Sequence, residues 1–222
     1  KIFTMFPNCK LRPSYGSTEV CASCSAVLSR EEFERRPELC KTVGRINANC
    51  EMKLVDNDGK EVPVGEVGEG LVRSPAVFRG YIKNEELNAR VLRDGWFHTE
   101  DLLRRDEEGF YYLVDRKKDM IKSGGENVYS NVVEQILNSH PSVLESAVVG
   151  IPDERLGEMV AAAVVLRDGA PPVTEQELMD YCGTKGAGFK KARRIVFVSE
   201  LPHSKMGKVD RHAVRELICG RR

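Results

Sequence analysis

Five charged residues in a row, Asp115-Arg116-Lys117-Lys118-Asp119, divide this chain into two stretches of different pattern. An isolated charge buried in an apolar core costs far more than a fold can offset. The run therefore reads as an exposed, solvated connector between a strand and a glycine-containing loop. A chain of 222 residues has room for one or two domains of ordinary size, and the run places a boundary between residues 1–117 and 118–222.

Before the connector the pattern is of short β-type runs separated by turn residues. Lys10–Arg12 reads as a strand that enters a turn at Pro13–Gly16. Glu51–Val55 alternates, and Asp56-Asn57-Asp58-Gly59 then turns the chain as in a hairpin. Gly65, Gly68 and Gly70 punctuate the approach to a run at Leu71–Ser74. Asp106-Glu107-Glu108-Gly109 precedes a strand at Phe110–Val114. The region reads as a small antiparallel sheet or distorted barrel.

After the connector, helix and strand patterns alternate. Asn131 and Glu134 have the spacing of a capping box, and Val132, Val133, Ile136 and Leu137 share one helical face. Val143–Val149 and Met159–Leu166 are β-rich. The second is almost continuously apolar, as a central strand is. Thr174 and Glu177 form a second capping box, with Leu178, Tyr181 and Cys182 inward. Arg194–Val198 reads as a strand, and Asp210 caps a last helix bearing Val214, Leu217 and Ile218. The fold class is α+β: a small distorted antiparallel barrel or sheet region followed by a compact α+β domain.

Lys plus Arg equals Asp plus Glu at 34 each, a balance that argues against a nucleic-acid or membrane-surface protein. One local basic stripe occurs at Phe189–Arg194. Seven cysteines at irregular spacing make no disulfide framework. Cys21-x-x-Cys24 lacks the second pair of a zinc ribbon, so the thiols read as ordinary reduced ones, as in an intracellular, cytoplasmic protein. No apolar run reaches the ~18 residues of a transmembrane segment. The chain opens on Lys1 and not Met, and the expectation is that the natural N-terminus lies upstream.

Four motifs can carry chemistry. In Tyr15-Gly16-Ser17-Thr18-Glu19 a glycine beside small hydroxyls lets backbone approach a phosphate, Thr18 offers a hydroxyl, and Glu19 offers a hard carboxylate to Mg²⁺. The same residues also fit a turn into a helix with Glu19 in its first turn. In Trp96-Phe97-His98-Thr99-Glu100-Asp101-Leu102, Asp101 can accept two hydrogen bonds from a ribose diol or be a surface residue at a strand end. In the segment Asp115–Val128, Arg116 supplies a fork of donors and Gly124-Gly125 permits a sharp turn. In Leu201–Asp210, Lys208 follows Gly207 on a flexible loop, a point charge able to meet charge developing in a transition state, or else an exposed lysine. The four histidines show no metal spacing and read as surface or structural.

Taken together, the order and spacing resemble the adenylate-forming superfamily of acyl-CoA synthetases, nonribosomal-peptide adenylation domains and firefly luciferase, from about Phe6 to Leu217. YGSTE resembles that family's Y-G-x-T-E box, Thr42-Val43-Gly44-Arg45 its S-V-G-R/K turn, and DGWFHTED its D-G-W-F-x-T-G-D. DRKKDMIKSGGENVYS resembles the hinge of acyl-CoA ligases, and LPHSKMGKVDR the terminal catalytic-lysine motif. The resemblance implies that Tyr15 stacks on or borders adenine, with Gly16 and Ser17 in the same nucleotide box. It implies that Thr18 contacts the α-phosphate, Glu19 holds Mg²⁺, and Asp101 and Arg116 reach the ribose. Lys118 falls at the hinge position. Lys122 and Ser123-Gly124-Gly125 would face CoA or the acyl site, and Lys208 would act in adenylation. Two departures are Glu100, where the family usually has Gly, and Ala192, where a Pro is common.

By the family's layout the phosphate loop and most of the acyl pocket lie upstream of Lys1. The resemblance thus implies a fragment, inactive alone, of an ATP-dependent carboxylate–CoA ligase that forms acyl-AMP and then acyl-CoA. Its partners would be a carboxylic acid, a fatty acid before an aromatic one, together with ATP, CoA and the missing N-terminal part. Loading of a carrier-protein thiol is the alternative chemistry. A non-catalytic interaction module is the reading if the chain stands alone.

Overall fold

The computed structural model describes residues 2–185 and 191–220. It divides into two compact units, Lys1–Lys117 and Lys118–Arg222. The first carries helices α1 (Ile2–Met5), α2 (Arg30–Arg35) and α3 (Glu85–Val91) and two antiparallel sheets. Strands β1 (Ser14–Ser17), β2 (Cys21–Ser25) and β3 (Arg45–Ile46) form one sheet. Strands β4 (Glu51–Val55), β5 (Val67–Arg73), β6 (Leu92–Arg93), β7 (Trp96–Arg105) and β8 (Tyr111–Arg116) form the other, in which β7 pairs with β5, β6 and β8. The second unit has strands β9 (Ile121–Ser123), β10 (Glu126–Val128), β11 (Val143–Asp153), β12 (Gly157–Leu166) and β13 (Arg194–Phe197), and helices α4 (Ser130–Asn138), α5 (Glu175–Lys185) and α6 (Arg211–Gly220).

Strand β12 is central, pairing antiparallel with β11 and β9 and parallel with β13. Its alternate residues enter two cores. Val160, Ala162 and Val164 pack with Val133 and Leu137 of α4 and Leu178 and Cys182 of α5. Ala161, Ala163 and Val165 pack with Val214 and Ile218 of α6. Each buried Val or Leu contributes about 1.5–3 kcal/mol, so the strand's apolar text follows from having no solvent face. The expected strand at Glu51–Val55, the Thr174–Glu177 capping box and the Asp210 cap are all present.

Other expectations need correction. Pro13–Gly16 is not a turn. Ser14–Ser17 is a strand, and the chain reverses over residues 17–20, with no helix there. Gly68 and Gly70 do not interrupt β5 but lie within it. The N-cap of α4 is Tyr129 and not Asn131, and Glu134 accepts from the Val148 amide at 2.8 Å. The charged run is not a solvated connector throughout. Asp115 is buried, and Lys117 Nζ donates to the buried Glu69 carboxylate at 2.7 Å. Asp119 lies 3.5 Å from Arg211, while Lys118 is exposed. Of the basic stripe, Phe189 and Lys190 lie outside the described residues, Lys191 pairs with Asp180, and Ala192 is buried. His98 is structural, buried beside Glu69, and its burial and Arg93 hold its pKa below the usual histidine range.

Two backbone positions carry local constraints. Gly16 lies at an irregularity of the β1–β2 ladder, where a Cβ would sit 1.6 Å from the Cys21 carbonyl oxygen. Glu100 has φ +57 in a bulge: Leu71 pairs with His98 and Glu69 with Leu102, so Thr99, Glu100 and Asp101 stand opposite Gly70. Gly16→Ala should therefore lower stability by about 1–3 kcal/mol or prevent folding. An unchanged urea midpoint would show that the hairpin opens without cost. Glu100→Gly should raise the unfolding free energy by up to about 1 kcal/mol, and the urea midpoint with it, because glycine adopts the left-handed conformation freely. The exposed Arg90–Glu100 pair that it removes is of a kind worth about 0–1 kcal/mol, and Arg90→Ala measures that pair alone. A lower midpoint for Glu100→Gly, beyond the Arg90→Ala effect, would mean that φ +57 stores no strain.

Candidate functional site

In the first unit the candidate residues gather on a hairpin tip and the neighbouring bulge. Ser17 and Thr18 are exposed at the β1–β2 reversal, and the Glu19 amide donates to Ser17 Oγ at 3.2 Å. Glu19 is held from the other side: its carbonyl accepts from the Phe78 amide at 2.7 Å, and its Oε1 accepts from the Tyr81 hydroxyl at 2.8 Å. The Ser17 hydroxyl, and after it the Tyr81 phenol, hold the Glu19 carboxyl below the usual carboxylate range. The same pairing, after burial, pushes Tyr81 up to about 12. Glu19 is thus an anion at neutral pH on a fixed tip.

Tyr15, one strand back, is buried among Cys24, Leu54, Leu103 and Tyr111. Its ring packs into the sheet's own core, and its hydroxyl donates to Asp101 Oδ2 at 2.7 Å. In this structure Tyr15 thus holds Asp101 in place. Gly16 approaches the chain's own Cys21 carbonyl, so its missing side chain is already explained by packing. The Asp101 amide donates to Thr99 Oγ1 at 3.1 Å, and Thr99 Oγ1 donates to the Gly70 carbonyl at 2.7 Å. Bulges commonly re-aim a side chain beside a functional site, and this one presents Asp101 toward Tyr15. Arg116, its cross-strand neighbour, places Nε 3.5 Å from Asp101 Oδ1 and is itself exposed. Burial, first, pushes the Asp101 carboxyl above its usual range, while the Tyr15 hydrogen bond and the Arg116 charge pull it back.

In the second unit, β9 and β10 join through Gly124-Gly125, both at positive φ (+62 and +84), as a two-residue hairpin turn of the primed type requires. Ser123 is buried and Lys122 exposed. The hairpin is fastened to the start of β12: Ser123 pairs with Gly157, and the Gly124 amide donates to the Leu156 carbonyl at 2.9 Å. Lys208 does not ride a loose loop. The Ser204 amide donates to its carbonyl at 2.7 Å, the Gly207 amide donates to Ser204 at 2.9 Å, and His203 bridges Val209. A tight backbone therefore projects an exposed lysine.

Sequence reasoning placed Glu19, Asp101, Arg116 and Tyr15 in one constellation only through the resemblance, and it missed Tyr81, Thr99, Glu69 and Glu158. Tyr81 and Glu19 are 62 residues apart, and no local pattern announces such a pair. Among the described residues no three of His, Cys, Asp or Glu come together as a metal site. No disulfide joins any of the seven cysteines, and burial pushes the Cys24 thiol up to about 12. No helix among the described residues is long and apolar enough to cross a membrane.

Residues 1–82 match the family described as AMP-binding enzyme, and residues 132–208 match the AMP-binding enzyme C-terminal domain. Indoleacetate–CoA ligase of Aromatoleum aromaticum is 38% identical over 92% of this chain and 39% of its own length. A long-chain-fatty-acid–CoA ligase of Escherichia coli is 41% identical over 95% of this chain and 36% of its own. Among solved structures, the amide bond synthetase McbA of Marinactinospora thermotolerans superposes with a TM-score of 0.83 at 38% identity, covering 93% of this chain and 42% of that one. The o-succinylbenzoate CoA synthetase MenE of Bacillus subtilis, in complex with the acyl-adenylate OSB-AMP, gives 0.82 at 35% identity, over 93% and 41%. The chain therefore spans about two fifths of the length of these relatives. With both matched segments in order, and with relatives 38–41% identical over 92–95% of its length, it belongs to the adenylate-forming, AMP-binding enzyme family and carries that family's C-terminal domain.

Proposed function

We propose that this chain serves as the C-terminal part of an ATP-dependent carboxylate–CoA ligase, working with an upstream region of the kind its longer relatives possess. The observation that carries the reading is the joining of Asp101 to both Tyr15 and Arg116 at the bulge. A carboxylate held in place by a buried phenol is oriented before a ribose diol arrives, and Arg116 adds an exposed fork of donors beside it. Thr18 and Ser17 offer hydroxyls to the α-phosphate at the exposed tip. Glu19 fits Mg²⁺, which is typically held by one or two carboxylates plus phosphate oxygens. The ion would neutralise phosphate charge there. A carboxylate and ATP would give acyl-AMP and pyrophosphate, and CoA thiol would then displace AMP to leave the thioester. A fatty acid is the first substrate to test and an aromatic acid the second. The likeness to an amide bond synthetase supports a second reading, in which an amine takes the acyl group from the adenylate. Loading of a carrier-protein thiol remains a third acceptor for the same adenylate.

Lys208 is the charge for the first half-reaction. Its fixed backbone and exposed ammonium suit an interaction made only as charge develops at phosphorus. In the full-length protein, Lys208→Ala should slow acyl-AMP formation by about 10²–10³-fold. Thioester formation from supplied acyl-AMP should hold within about twofold, because that step does not use the lysine. Equal losses in both steps would remove this role.

Lys118 is the pivot between the poses that serve the two steps. The charges on either side of it are anchored in their own units, Lys117 on Glu69 and Asp119 near Arg211, which supports rotation at the residue between them. Lys118→Pro fixes φ near −65° and removes a backbone donor. Single-turnover kinetics should show thioester formation slowed at least about tenfold more than adenylation. An unchanged thioester rate would mean that the chain does not turn there.

A further inference from the structure

The Gly124-Gly125 hairpin is anchored at its base, where Ile121 of β9 and Val128 of β10 are buried in the core with Val133, Leu137 and Val160, but its turn end at residues 122–126 has less to hold it. Its strands are three residues each, and β9 meets β12 at one ladder pair, Ser123 with Gly157. A short two-stranded ribbon is marginal in water, so the position of its turn end, beyond the buried Ile121 and Val128, depends on what braces it. Glu158 supplies that brace: its Oε2 accepts from the Lys122 amide at 2.9 Å, and its Oε1 accepts from Arg215 Nη2 of α6 at 2.7 Å. Arg215 is fixed in turn by Nε, which donates to the Gly150 carbonyl of β11. Gly150 leaves the room, since a Cβ there would come within 2.7 Å of Glu158 Oε1. A second brace comes from the turn before β12. Asp153 Oδ1 accepts from the amides of Arg155 and Leu156, at 3.0 and 2.8 Å, and so sets the Leu156 carbonyl that receives the Gly124 amide.

We propose that Glu158, locked by Arg215, is a positioning residue for the second half-reaction, setting the Lys122–Gly125 hairpin against the incoming thiol substrate. This rests on the CoA-ligase reading and assigns the brace a step. The bond Glu158 makes is to backbone, so its carboxylate acts through the hairpin and touches no reacting atom. Lys208 stands on a separate hairpin closed by its own backbone bonds, so loss of the brace should leave the first step alone.

The test is single-turnover kinetics on the full-length protein, with each half-reaction started separately. Glu158→Ala should slow thioester formation from supplied acyl-AMP by about tenfold, as small misplacements of a positioned group do, and leave acyl-AMP formation within about twofold. Glu158→Gln keeps an acceptor oxygen for the Lys122 amide and should recover most of the loss. Arg215→Met, which unlocks Glu158 without removing it, should show the same selectivity more weakly, and it keeps the question answerable if Glu158→Ala does not fold. Equal slowing of both steps, or no slowing of either, would overturn the proposal while leaving the ligase reading intact. Wild-type protein that forms acyl-AMP but no thioester with CoA would overturn the acceptor reading, and this proposal with it.

Discussion

Strand β12 has no face it can give to water, and the second unit is arranged around that fact. Its odd and even residues feed separate cores, so helices are needed on both sides, and α4 and α5 cover one while α6 covers the other. The alanines at 161–163 bring the covering elements close to the strand. The ends of β12 are then fixed in space by packing far from any chemistry. Its first residues, Gly157 and Glu158, are where the Lys122–Gly125 hairpin attaches. A hydrophobic constraint in the middle of a strand thus becomes a positional constraint on a polar loop at its edge.

The first unit reaches the same end through a defect in its sheet. Strand β7 pairs on both sides, yet three of its residues face the single Gly70. That bulge holds Glu100 at positive φ, an unfavoured state for a residue with a side chain. It also turns Asp101 toward Tyr15, whose ring the core of the same unit immobilises. Asp101 is therefore oriented by packing and its charge balanced by Arg116. The site's polarity rests on apolar contacts one layer below it.

What could be read from the sequence was what local pattern dictates. Glu51–Val55 pairs with β5 as a strand whose last two residues, Leu54 and Val55, are both buried, and Met159–Leu166 is continuous because both its faces are covered. Thr174–Glu177 and Asp210 are caps because their hydroxyl or carboxylate sits within reach of amides two or three residues on. Ser29 with Glu32 makes a capping box of the same kind, one that the sequence reading passed over. The reading failed where a distant partner decided the outcome. Asn131 and Glu134 have capping spacing, but the Val148 amide and Arg211, 14 and 77 residues away, claim the carboxylate. The packing role of Gly16 was out of reach for the same reason: the constraint on it is the Cys21 carbonyl across a hairpin. The Tyr15–Asp101 contact spans 86 residues. Its members were identified by resemblance to a family, and their joining is a tertiary fact.

The charged run between the units shows why the distinction matters. Read as text, five adjacent charges mean a solvated connector. In the fold, Lys117 is held by the buried Glu69, and Asp119 stands near Arg211, which also grips Glu134 and the Val148 carbonyl. A buried carboxylate such as Glu69 needs its partner, because one left unpaired in a low-dielectric setting is costly. The ion pair therefore resists any motion that would pull Lys117 away from its sheet. The same reasoning, more weakly, keeps Asp119 with its own unit. A long solvated linker would leave both of its ends without such anchors. Here the anchors stand on either side of one exposed residue, Lys118, each within its own unit. The proposed pivot at Lys118 draws on that arrangement, because a hinge that returns a side chain to a fixed place needs its rotation confined to few dihedrals.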